Sequence, residues 1–101
     1  MAGERQMPKA RAFDPAKRRD DPKAIAKYLN DALLTDDSIL ITKAIGDIVR
    51  AQGATRFSQK AGMRRDNLYR TFNGESSPAF ATVLRVLITL DVQLVAKPAA
   101  G

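Results

Sequence analysis

The stretch GMRRDNLYR, residues 62–70, holds the side chains of this chain best suited to meeting a polyanion. Arg64, Arg65 and Arg70 are permanently charged forks that can grip phosphate or pair bidentately with guanine, and Asn67 can do the same with adenine. Tyr69 adds a hydroxyl suited to a phosphate oxygen. Arg56 and Lys60 precede them, so residues 54–74 carry five cations against the single carboxylate of Asp66, a net +4. That is the electrostatic footprint of nucleic-acid binding. Bond-making chemistry has little support. The chain has no histidine and no cysteine, which removes the commonest general base, the commonest transition-metal ligand and every thiolate site. No catalytic residue, metal ligand or cofactor is expected, and the chain is not expected to be an enzyme.

These side chains need a frame, and the composition bounds it. A length of 101 residues fits one domain. A hydrophobic content of 45% is ordinary for a globular protein. A domain this short buries a modest share of its surface, so dimerisation is a natural supplement. The net charge of +6 favours an anionic partner. Beyond the 54–74 cluster, residues 1–23 have seven cations and four carboxylates, residues 24–53 are at −1, and the rest is neutral. The apolar runs are too short to span a bilayer, and MAGERQMPKARAF has no apolar signal region. A cytoplasmic chain that engages no membrane is expected.

Periodicity predicts an all-α fold of about five helices. Residues 1–12 read as a disordered basic arm, 13–97 as the domain and 98–101 as a flexible tail. Asp21-Pro22 looks like an N-cap followed by proline at the first helical position. Ile25, Tyr28, Leu29, Ala32 and Leu33 then mark one face of a helix over 22–34. TDDS, residues 35–38, breaks it and caps a second, marked by Ile41, Ala44, Ile45, Ile48 and Val49 and ended near Gln52 with Gly53 as a left-handed stop. Thr55 can cap a short third helix closed by Gly62, and a fourth covers 65–73 with Gly74 after it. A fifth carries Phe80, Val83, Leu84, Leu87 and Ile88. VQLVAKP alternates enough for one short C-terminal strand or an extended tail, and a strand would need a partner from the segment around Phe13 or from a second subunit.

The third and fourth helices are too short to stand alone. Two short helices around a glycine turn match the helix–turn–helix unit, whose second helix enters the major groove. Phe57, Met63, Leu68 and Phe72 would anchor the turn in the core. With Leu68 inward, Arg65, Asn67 and Arg70 are assigned to base edges, and Arg56, Lys60, Arg64 and Tyr69 to phosphates.

At this point five segments carry a more specific resemblance: FDPAK from Phe13, DPKAIAKYLNDAL from Asp21, AIGDIVRAQG from Ala44, AGMRRDNLYRTFNGESSPAF from Ala61 and TVLRVLITLDVQL from Thr82. Their order and spacing resemble the addiction-module antidote proteins, small helix–turn–helix antitoxins related in fold to the HigA group and to phage-repressor-like DNA-binding domains. The resemblance implies an antitoxin that neutralises a RelE/ParE-like toxin by binding it and represses its own operon. Departures are visible. Arg64 stands where serine or threonine commonly opens the recognition helix, Phe57-Ser58 replaces the usual Leu-Ala, apolar residues are missing after FDPAK, and Asp91 stands where glycine usually ends the last helix.

Other readings stay open: a stand-alone helix–turn–helix regulator, or a protein-interaction module that binds no DNA. The expected partners are double-stranded operator DNA, the toxin and a second copy of the chain. For the toxin, the candidates are the acidic neighbourhood of Asp31, Asp36 and Asp37, or the N-terminal segment. Asp36-Asp37 reads more simply as a helix start than as a metal site. For the dimer, they are the last helix and the VQLV tail, which would set two recognition helices about 34 Å apart.

Overall fold

Asp21 caps the first described helix as the sequence predicts. Its carboxylate accepts from the Lys23 N–H at 3.0 Å, and Pro22 occupies the first turn. The computed structural model describes residues 21–99. The expected arm over 1–12, the Phe13 segment and the last two residues lie outside the described residues. Within them the fold is all-α, with five helices: α1 Pro22–Leu33, α2 Ser38–Gln52, α3 Ala54–Ala61, α4 Arg65–Thr71 and α5 Phe80–Thr89.

A four-residue link joins α1 to α2, and the two helices pack on each other. The link is built from TDDS chemistry. Thr35 Oγ1 donates to the Ala32 carbonyl at 2.6 Å, Asp36 takes a left-handed φ of 56°, and Asp37 accepts from the N–H groups of Ile39 and Leu40. Aspartate tolerates that backbone better than most residues. So Asp36 makes the turn and Asp37 caps α2.

α3 is the hub and packs against α2, α4 and α5. Its start differs from expectation: Gly53, not Thr55, is the N-cap. Gly53 has φ 93° and ψ 109°, so it is a positive-φ stop without being left-handed helical. One residue thus ends α2 and begins α3, and Ala54 is already buried. The core joins Ile25 and Leu29 of α1, Ile45, Ile48 and Val49 of α2, Phe57 and Ala61 of α3, Leu68 of α4 with Phe72 after it, and Val86, Leu87 and Leu90 around α5.

α5 corrects a second expectation. Of its predicted apolar face, Leu87 is buried and Val83 partly so, but Phe80 is 66% exposed and Ile88 73%. α5 is apolar nearly all round, so a second apolar stripe runs beside the predicted one, and the core took that stripe, through Val86, Leu87 and Leu90. Asp91 ends the helix with φ 65°, and the Val92 N–H reaches back to the Leu87 carbonyl at 3.0 Å. Val92 packs on the core, and residues 93–98 continue with no strand among the described residues. The tail reading holds over the strand reading.

Candidate nucleic-acid interface

α3 ends as the sequence predicts. Gly62 is left-handed at φ 68° and ψ 33°, and the N–H groups of Gly62 and Met63 both turn back to the Ser58 carbonyl. This closes the orphan carbonyl of the last turn and redirects the chain. Met63 packs against the core while Phe57, Leu68 and Phe72 are buried within it. The four apolar anchors therefore fix α4 relative to α3, an arrangement compatible with a helix–turn–helix.

With Leu68 inward, the other face of α4 is open. Arg64, Arg65, Asn67, Tyr69 and Arg70 are all exposed, as are Arg56 and Lys60 on α3. Arg65 and Arg64 each meet a neighbour. The Arg65 guanidinium lies over the Tyr69 ring, 5.6 Å from its centre. At an exposed site such a contact contributes about 0.5–1 kcal/mol, enough to bias where the fork points. Arg64 Nε is 3.5 Å from Asp66 Oδ1, with the two side chains 85% and 66% exposed. A pair this wet is weak, so a phosphate could displace Asp66. Arg64 also holds the N-cap position of α4 in extended backbone, with no side-chain cap bond. The departure from serine or threonine noted in the sequence thus has its expected structural consequence.

One residue that sequence reasoning passed over positions α4 from behind. Gly46 is buried in α2, and a Cβ built there would fall onto the carbonyl oxygen of Phe72, which caps α4. Only glycine lets that carbonyl sit against α2. The available signal was a glycine inside a helical period, which costs about 1 kcal/mol against alanine unless packing requires it. Nearby, Gly74 has φ 89°, and the methylene stem of Lys43 runs along it.

The acidic candidates fall elsewhere, on α1, α2 and their link. Asp31 sits 3.9 Å from Lys27 with both side chains exposed. Asp36 and Asp37 serve the α1–α2 turn as described. Asp47, which sequence reasoning did not single out, ties the two helices together. Its Oδ2 accepts from the Tyr28 hydroxyl at 2.9 Å and its Oδ1 from Arg50 Nη2 at 2.7 Å. Partial burial, then the bond to the Asp47 carboxylate, push the Tyr28 hydroxyl up to about 12. No group of acidic residues among the described residues is arranged to hold a metal ion, and no described helix is long and apolar enough to cross a membrane.

Comparison with known proteins gives the family. A family described as "Probable addiction module antidote protein" matches residues 9–98. The chain belongs to the addiction module antidote family. An uncharacterized protein of Haemophilus influenzae (strain ATCC 51907 / DSM 11121 / KW20 / Rd) is 38% identical to this antidote-family chain over 81 residues, covering 80% of this chain and 84% of that protein. No solved structure matches this chain.

Proposed function

We propose that this chain is the antitoxin of a type II toxin–antitoxin module, a non-catalytic cytoplasmic protein that binds its toxin directly and represses its own operon. Membership of the antidote family carries the first half, because an antidote implies a toxin. A RelE/ParE-like toxin is the partner that the sequence resemblance implies. The second half rests on the exposed cationic face of α4, held by a glycine turn and a buried leucine. Arg65, Asn67 and Arg70 read bases, while Arg56, Lys60, Arg64 and Tyr69 hold phosphates.

A dimer completes the reading. Phe80, Leu84 and Ile88 form an exposed stripe along α5 at i, i+4 and i+8, and Arg85 is the one charged residue of that helix. Leu94 and Val95 add exposed apolar surface on the tail. A self-complementary apolar face suits a two-fold partner, and two copies would read a palindromic operator. Neutralisation is tested by expressing the product of the adjacent gene alone and together with this chain. Growth arrest relieved by co-expression supports the reading; arrest that co-expression leaves unchanged removes the antitoxin role. The scaffold reading, with no DNA binding, is favoured by no particular observation.

A further inference from the structure

Between α1 and α2 lies an open groove of about 280 Å³, lined by Tyr28, Asp31, Ala32, Leu40, Lys43 and Ala44, with Asp47 at its wall. We propose that this groove receives a basic side chain of the toxin, an arginine or lysine followed or preceded by an aliphatic residue; the proposal rests on the antitoxin reading above.

Three observations carry it. The floor is apolar, from Ala32, Ala44 and Leu40, and Leu40 is itself part-exposed. Arginine and lysine bury a methylene stem on apolar surface while the charged head seeks a carboxylate. Asp31 supplies that carboxylate. Its ion pair with Lys27 is long, at 3.9 Å, and exposed, so little is lost on exchange. Asp47 is already engaged with Tyr28 and Arg50; the Tyr28 bond ties α1 to α2 across the groove, while the Arg50 bond stays within α2. Lys43, the one cation of the lining, has its stem laid along Gly74.

Charge complementarity selects the occupant. The groove lies in the −1 part of a chain that is +6 as a whole. A second copy would bring mostly positive surface, but the neutral α5 stripe suits it better. Exposed Leu34 in the α1–α2 link and exposed Ile39 just after it would receive the aliphatic neighbour. The groove shares no residue with the cationic face of α4, so toxin and DNA would not compete for the same side chains.

The test measures binding of the purified product of the adjacent gene to the full chain by calorimetry, with promoter binding and sedimentation as parallel readouts. Asp31→Lys and Leu40→Arg should each weaken toxin binding by about tenfold or more, since like charges in an interface repel strongly. Lys43→Glu should tighten it, a gain that a merely structural role would not produce. Promoter affinity and oligomeric state should not change. In case a variant unfolds, amide resonances of the wild-type chain are followed on adding unlabelled toxin, and shifts should concentrate at residues 28–47. Unchanged toxin affinity in the folded variants, or resonance shifts confined to α4 and α5, overturns the groove. Loss of self-association in Leu40→Arg assigns the groove to a second copy and also overturns it. Failure of the wild type to bind that product at all removes the antitoxin reading itself, which separates the two failures.

Discussion

At the residue scale, the proposed division between base-reading and phosphate-holding side chains makes a sharp distinction. Arg65→Ala should cost about 1–3 kcal/mol on the operator and relax sequence preference, because the proposed bidentate base contact would be lost. Lys60→Ala should weaken all duplexes alike and lower the salt slope by about one. Equal affinities for wild type and both variants in a fluorescence-anisotropy titration would contradict the assignment. Tyr28 makes a second prediction, in stability. Its folded-state value, about 12, lies above the ordinary 10 because burial and Asp47 disfavour the phenolate. The stabilisation is therefore fully present below pH 10 and is lost as pH rises through 12. Denaturant unfolding of wild type against Tyr28→Phe should show a stability difference that shrinks across that window; a difference constant with pH would exclude the link. Residue types alone made the α4 cations legible. They did not reveal Asp47, whose role depends on a partner 19 positions away.

At the element scale, Gly46 decides how α4 is seated. Gly46→Ala gains about 1 kcal/mol of helix propensity but puts a methyl onto the Phe72 carbonyl. Overpacking of this kind costs about 1–3 kcal/mol, occasionally more. The expected net result is a lower unfolding midpoint together with weakened operator binding. A variant that is more stable and binds DNA normally would show that α4 is not braced there. The helices themselves were readable, because Asp21, Asp37, Gly62 and Asp91 each carry local backbone chemistry at a boundary. Thr55 misled because a helix can start on a buried alanine directly after a positive-φ glycine, without a side-chain cap. The orientation of α5 was not readable, since two apolar stripes on one helix have the same period and only packing chooses between them.

At the scale of the molecule, the buried core is drawn from all five helices and leaves the α5 stripe uncovered. If two copies meet there, Ile88→Glu should shift the chain to a monomer in sedimentation while leaving its helical content intact. Operator affinity should then fall, because two linked half-sites gain through effective concentration. An unchanged dimer would move the interface elsewhere. Surfaces of this kind lie outside what one sequence shows: Phe80 and Ile88 look like core until the fold leaves them out. The charge layout was legible from the start, and it gives the molecule a cationic face on α3–α4 and an acid-walled groove on α1–α2.

The most direct test of DNA recognition by this antidote-family chain is a titration against its own promoter and a scrambled duplex, each at two salt concentrations. Tight promoter binding that persists at the higher salt, with much weaker binding to the scrambled duplex, is the predicted result. Equal weak binding to both duplexes that vanishes with salt would contradict it, and would reduce the exposed arginines of α4 to a merely basic surface.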